Sequence, residues 1–209
     1  MLEARDLVGH RGHTPLFSSL SFVIGAGAAL VVAGPNGTGK TTLLRMLAGL
    51  VAPLAGQVRW RGEVTKPFAA PLRQAGCYVG HLPALKDELS AEENLRSLAS
   101  LAGVRVTAEA LAGALDEAAL TRQRRLPARA LSAGQRRRVA LARLHLVRRP
   151  LWVLDEPLTA LDAAGAHWMG RLLRAHLAQG GVLVAATHQP LDLGAAHVTS
   201  LVLGTRHGG

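Results

Sequence analysis

The hydrophobic pattern of this chain changes period as it runs, and each change predicts a different element. From Leu2 to about Ile24, and again in GQVRWRG (Gly56 to Gly62), apolar and polar residues alternate, as in strands of an antiparallel lobe. ALVVAG (Ala29 to Gly34) is short, unbroken and β-branched, which predicts a buried strand. TTLLRMLAGL (Thr41 to Leu50) then places Leu43, Leu44, Leu47 and Leu50 at helical spacing. Helical patterning returns from Glu88 to about Leu126, where Ser90-x-x-Glu93 reads as a capping box and Thr107 as the cap of AEALAGALDEAAL. Behind Ser132, a further N-cap, Val139, Leu141, Ala142 and Leu144 supply apolar helix positions. LWVLDEP (Leu151 to Pro157) and VLVAATHQ (Val182 to Gln189) are again apolar strands. The expected architecture is α/β, a mainly parallel sheet flanked by helices, with an antiparallel β lobe and a helical subdomain at about residues 88–130. At 209 residues a single domain, 1–209, is the default.

The first strand and helix enclose GPNGTGKT: Gly34, Pro35, Asn36, Gly37, Thr38, Gly39, Lys40 and Thr41, followed by Thr42. Strand, glycine loop, helix is the context of a phosphate-binding loop. The glycines let the backbone curl so that N–H groups face phosphate oxygens, and the helix adds the positive end of its dipole. Lys40 would reach the β- and γ-phosphates of ATP as a point charge, and the Thr41 hydroxyl would ligate Mg2+. Three of the 24 Lys+Arg residues are lysine (Lys40, Lys66 and Lys86), so a lysine at this spot is notable. The bulkier, rigid guanidinium is a poor substitute there. Asp155 and Glu156 end the LWVLDEP strand. Asp155 would belong to the Mg2+ shell, and Glu156 is a natural general base for the attacking water.

LSAGQRRRVALARL (Leu131 to Leu144) narrows the class, because Ser132, Ala133, Gly134 and Gln135 resemble the LSGGQ signature of the ATP-binding cassette (ABC) ATPases, with Ala133 the one departure. LTALD (Leu158 to Asp162) looks like that family's D-loop, with Asp162, and VLVAATHQ like the strand that ends in its switch histidine, His188. The resemblance implies a RecA-like P-loop NTPase core with the family's own helical subdomain. It also implies a second copy of the chain, whose signature meets the γ-phosphate so that two copies sandwich two ATP molecules, and a γ-phosphate contact from His188. His81 stands at the glutamine position of the Q-loop, and a neutral imidazole ligates with different geometry from an amide. The family commonly stacks a tyrosine on adenine ahead of LFSSLSF, whereas here His10, Arg11 and His13 are the candidates. His145, His167, His176, His197 and His207, with His10 and His13, lack a chemical context and read as structural.

Within the family, GHLPALKDELSAEENL (Gly80 to Leu95), with Lys86, the signature and PLWVLDEPLTALD, is similar to the ATP-binding subunits of haem exporters in cytochrome c maturation. That implies integral membrane subunits of the CcmB and CcmC kind, at the cytoplasmic face of a bacterial inner membrane, and ATP hydrolysis linked to release of the haem-loaded chaperone CcmE. The helical subdomain would then form a groove beside His81 for a short helix from a membrane partner. The closer rival is a cassette for another solute.

Charge and composition refine the partners. The net charge of +10 fits a polyanionic neighbour or, equally, an arginine-rich habit. Arginines cluster at Arg122, Arg124, Arg125 and Arg129 and again at Arg136, Arg137 and Arg138, either to meet anionic headgroups or as a solvated helix face. Aromatic residues are only 3% of the chain, which argues against a nucleic-acid platform, so no nucleic-acid partner is expected. Cys77 is the lone cysteine, so no intrachain disulfide can form. The start MLEARDLVGHRG has no apolar run behind a basic stretch, so no signal peptide is expected.

Overall fold

The structure is a computed structural model that describes residues 1–12 and 14–204. In chain order the elements begin with β1 (Leu2–Arg11), β2 (Thr14–Ile24), β3 (Ala28–Ala33), α1 (Lys40–Leu47), β4 (Ala55–Trp60) and β5 (Glu63–Thr65). They continue with α2 (Ala70–Ala75), β6 (Gly76–Val79), α3 (Ala91–Leu101), α4 (Ala108–Glu117) and a 3-10 turn at Ala128–Ala130. The chain then forms α5 (Ala133–Leu146), β7 (Leu151–Asp155), α6 (Ala163–Ala178), β8 (Val182–Ala186) and β9 (His197–Val202). Contacts divide it into two compact units, one of residues 1–78, 149–156 and 173 onward, the other of 79–148 and 157–172.

The first unit holds both sheets. One has the order β2-β1-β4-β5 with antiparallel pairings, the other the order β6-β7-β8-β3-β9 with β3 parallel to β8 and β9, and β7 parallel to β8. Every residue of β7 and β8 is buried, as expected of parallel strands covered on both faces. The core joins Leu2, Leu7, Phe17 and Ile24 of the antiparallel sheet to Leu30, Val32, Val153 and Val184 of the parallel one, with Leu43, Leu44 and Leu47 of α1 packed among them. Helix α1 ends at Leu47, three residues before the apolar spacing suggests. Gly49 takes φ +70 and donates to Met46 O (3.0 Å), while Leu50 donates to Arg45 O (2.8 Å), a Schellman ending that turns Leu50 out of the helix.

The second unit is helical. Ser90 and Glu93 cap each other's backbone at the start of α3 (Glu93 N to Ser90 Oγ 3.2 Å, Ser90 N to Glu93 Oε2 2.8 Å), and Thr107 Oγ1 accepts from Ala110 N at 3.2 Å. The capping residues thus sit where the sequence puts them. The helical stretch is nevertheless shorter than its pattern, because α4 stops at Glu117 and the chain to Leu126 is turns. Buried Asn94 holds the approach to α3, accepting from Lys86 N (2.8 Å) and donating to the carbonyls of Lys86, Leu89 and Ser90 (2.9–3.0 Å). Among the described residues no helix is long and apolar enough to cross a membrane.

His10, His167 and His197 are exposed, and His13 and His207 lie outside the described residues. His176 is buried and stacks flat on Trp152, 3.8 Å between centroids and 4° between planes, with Nε2 3.2 Å from Val182 O. A Cβ at Gly181 would meet that ring at 2.3 Å. Burial pushes the His176 pKa below its ordinary 6.5, outweighing the opposing hydrogen bond to Val182 O, and burial lowers His145 in the other unit likewise. The unfolded chain therefore binds these protons more readily than the folded one, so stability is lost as pH falls below about 6.5. Denaturant midpoints measured from about pH 7.5 down to 5.5 should decline, and His176→Phe, which keeps the stack, should flatten part of that decline. A wild-type midpoint that stays level over this range contradicts the assignment.

Candidate active site

In the parallel sheet, Val32 pairs with Ala186 and Ala186 with Asp155, so three strand ends share one register row. Thr187 N donates to Val32 O (3.3 Å) and Glu156 N to Ala186 O (2.8 Å), which carries the ladder one step beyond the strands. The phosphate loop, the two carboxylates and His188 all leave the sheet at this row, at the carboxyl ends of parallel strands, where ligands bind in such folds.

Pro35, Asn36 and Gly37 form the exposed crest of the loop, and Thr38, Gly39 and Lys40 its buried base. Gly34, Gly37 and Gly39 have φ of +134, +85 and +102, the left-handed region that favours glycine. At Gly34 a Cβ would lie 2.2 Å from Leu203 O, and at Gly39 2.9 Å from Leu16 Cβ, so the loop is also too tightly walled for a side chain. Thr38 Oγ1 fastens the curl by donating to Pro35 O at 3.0 Å. Gly39 caps α1 without a side-chain acceptor, and no acidic residue lies in its first turn, leaving the positive end of the dipole to an anion.

Lys40 Nζ donates to Gly34 O (2.5 Å) and Pro35 O (3.1 Å) and lies 3.2 Å from His188 Nε2. That same His188 nitrogen is 3.5 Å from Glu156 Oε1. Glu156 itself has φ +51, a left-handed backbone unusual for a non-glycine residue and common where a site needs a side chain aimed off the strand. Thr41 Oγ1 donates to Asp155 Oδ2 at 2.7 Å. A hydroxyl and a carboxylate side by side at the foot of a phosphate loop are the hard oxygen donors that Mg2+ takes together with water and phosphate. Thr42 follows, half-buried, in the first turn of α1.

The signature residues, Asp162 and His81 belong to the second unit. Ser132 caps α5, accepting from Gln135 N (3.2 Å), while Gln135 Oε1 accepts from Ser132 N (2.9 Å). Ser132 and Ala133 are exposed. Asp162 takes Gly165 N (2.8 Å) on Oδ1, which also meets the Arg138 guanidinium, and these two bonds, the Gly165 one first, hold its carboxyl below the usual range. His81 is exposed, as is its neighbour Leu82. His10 is also exposed, with its Nδ1 2.8 Å from Gly12 O in the β1–β2 turn.

A family model described as ABC transporter matches residues 17–159. The chain belongs to the ABC transporter family. It is 50% identical over 193 residues to the cytochrome c biogenesis ATP-binding export protein CcmA of Pseudomonas aeruginosa, covering 92% of this chain and 95% of that one. Its fold is similar to an ABC transporter ATP-binding protein from Pyrococcus furiosus, with TM-score 0.81 and 28% identity over 97% of this chain and 96% of the other. A dimeric ATP-binding cassette bound to ADP and phosphate shares the fold at TM-score 0.79 and 24% identity, over 90% and 88% of the two chains. The cassette architecture expected from the motifs is the one observed, an α/β P-loop NTPase with parallel and antiparallel sheets.

Several contributors were not foreseen. Leu16 backs Gly39 from β2, and buried Thr187 shapes the turn at His188 by accepting from Gln189 N (2.9 Å) and donating to Gln189 O (3.0 Å). Arg136, Arg137 and Arg138 do not form one solvated face, because each is engaged within its own unit. Arg136 pairs with Asp87 (2.5 Å), Arg138 with Asp162, and Arg137 is only 2% exposed. Of the first cluster, Arg124 pairs with Glu92 (3.1 Å) while Arg122, Arg125 and Arg129 remain exposed. A Cβ at Gly134 would stand 2.6 Å from Ala160 O, whereas Ala133 already carries one beside it. Gly134→Ala should therefore destabilise the chain by about 1–3 kcal/mol through overpacking, while Ala133→Gly should cost less than about 1 kcal/mol. Parallel denaturant titrations decide it, and equal losses at the two positions would contradict the packing described.

Proposed function

We propose that this chain is the ATP-hydrolysing subunit of a membrane export complex serving cytochrome c biogenesis. The row Lys40 Nζ, His188 Nε2, Glu156 Oε1, with steps of 3.2 and 3.5 Å, carries the catalytic part of that reading. A lysine, a histidine and a carboxylate within reach of one another past the ends of three adjacent strands support reading them as phosphate-binding cation, phosphate sensor and base. Identity of 50% to the CcmA relative over nearly the whole chain supports the cytochrome c part.

On this reading the loop at 34–41 wraps the triphosphate, and Lys40 exchanges the carbonyls of Gly34 and Pro35 for β- and γ-phosphate oxygens, which accept more strongly because they are charged. Thr41 and Asp155 would hold Mg2+, which neutralises phosphate charge when bound. Glu156 accepts a proton from water as its oxygen bonds to the γ-phosphorus; the bond from that phosphorus to the β-phosphate oxygen breaks, leaving ADP and phosphate. His188 touches the γ-phosphate and turns its presence into a position for Glu156. Ser132, Ala133, Gly134 and Gln135 of a second copy close the site from outside with the amides that open α5, so that two copies bind two ATP molecules between them, with Asp162 at that interface. Exposed Leu82, next to His81, is apolar surface suited to a short helix from integral subunits of the CcmB and CcmC kind, at the cytoplasmic face of the inner membrane. Turnover there would free haem-loaded CcmE.

Glu156→Gln keeps the shape of the base and removes its basicity, so ATP binding should persist while turnover falls about 10²–10⁴-fold. A dimer should then accumulate with ATP on a sizing column, and unchanged hydrolysis would show that another group activates the water. Lys40→Ala removes two charge-assisted bonds of about 1.5–3 kcal/mol each, so affinity for ATP should drop more than about hundredfold in a direct binding titration. Purification from solubilised membranes tests the assembly. A haem-handling membrane partner is the expected companion, and a permease for another solute would overturn the cytochrome c assignment.

A further inference from the structure

Arg137 lies two residues past Gln135, in a helix whose first turn alone serves the nucleotide. Its NH1 group donates to Gly80 O at 2.7 Å and to His81 O at 3.2 Å. Its neighbours point elsewhere: Arg136 reaches Asp87 and Ala128 O (2.9 Å), and Arg138 reaches Asp162 and Ala118 O (3.3 Å). Successive residues of a helix diverge by about 100°. Three consecutive arginines therefore fasten one helix to five places in the same unit: residues 80–81, Asp87, Ala118, Ala128 and Asp162.

Removing a guanidinium from water is costly, and a well-packed apolar side chain usually fills such a position at least as well. What arginine supplies at 137 is a rigid, planar head whose NH1 group alone meets two successive carbonyls. These two acceptors are main chain, so Arg137 holds the path of residues 80–81 irrespective of the side chain that projects there, and the His81 side chain itself is exposed. We infer that Arg137 is a positioning residue that ties the signature helix to the backbone at His81, so that displacement of the His81 segment by a docked partner moves the helix that presents Ser132. The inference rests on the chain being an ATPase whose signature helix meets nucleotide.

Steady-state ATP hydrolysis by the intact membrane complex tests it, with Arg137→Met compared with wild type. Arg137→Met keeps the aliphatic length and removes the donors. It should lower kcat about tenfold and leave KM for ATP within about twofold. A wild-type kcat in Arg137→Met, or a loss carried by KM alone, would overturn the inference. Amide hydrogen exchange at residues 80–82 should be faster by about tenfold in the variant, with α3 unchanged; equal exchange at 80–82 also overturns it. Should Arg137→Met fail to fold, Arg137→Lys enters both measurements, its single flexible ammonium predicting the same directions, and a chain that folds with neither residue makes Arg137 a folding requirement and removes the assignment. Wild-type complex without ATP turnover would instead remove the ATPase reading itself.

Discussion

The hydrogen-bonded row through Val32, Ala186 and Asp155 is the constraint on which the site depends. Side chains alternate faces along a strand, so sliding β7 or β8 by one residue would swing Glu156 or His188 away from Lys40 and turn buried apolar residues outward. Burial of every position in both strands makes such slippage costly, which is how a chain with no disulfide can hold a lysine, a histidine and a carboxylate within 3.5 Å steps. Catalytic precision here is inherited from packing. The polar groups follow from it, Glu156 and His188 from just past their strands and Lys40 from the first position of α1.

Two kinds of chemistry are kept in two compact units. The first carries the phosphate loop, Asp155, Glu156 and His188, the second Ser132, Gly134, Asp162 and His81. Within the second, the elements are wired by arginine to backbone or carboxylate. Asp162 sits where α6 begins, held by Gly165 N and by Arg138 of α5. Ala160 O leaves Gly134 no room for a side chain. The signature and D-loop are thus one packed object, and a change in either is felt in the other.

Much of this could be read from the chain, but unevenly. The phosphate loop, the two carboxylates and the helix caps were legible because each is a contiguous stretch whose local geometry follows from its own residues. Helix α6 and strand β9 are less legible: Asp162 caps α6 by accepting from Gly165 N, yet in the sequence it reads first as part of LTALD, and β9 is an edge strand with exposed residues alternating. The end of α1 does not follow from its apolar spacing, which runs on to Leu50, because a left-handed Gly49 overrides it. The arginines misled most. Composition gives a charge of +10 but not where the guanidinium groups point, and the partners of Arg137 and Arg138 lie 56 or 57 and 20 or 24 positions away.

The division between lysine and arginine then acquires a physical sense. Arg136, Arg137 and Arg138 each satisfy two acceptors at once, a carbonyl with a carboxylate or two carbonyls, which a rigid, planar, weakly hydrated group does well. Lys40 has the opposite task. On the proposed function its partners must be exchangeable, since the loop carbonyls that hold it would give way to phosphate oxygens and return once phosphate leaves. A compact ammonium on a flexible stem can rotate among acceptors without breaking a fixed fork. At these positions arginine takes the contacts that are permanent, and on the proposed function Lys40 takes the one that turns over with each nucleotide, which separates structure from catalysis in the choice of cation.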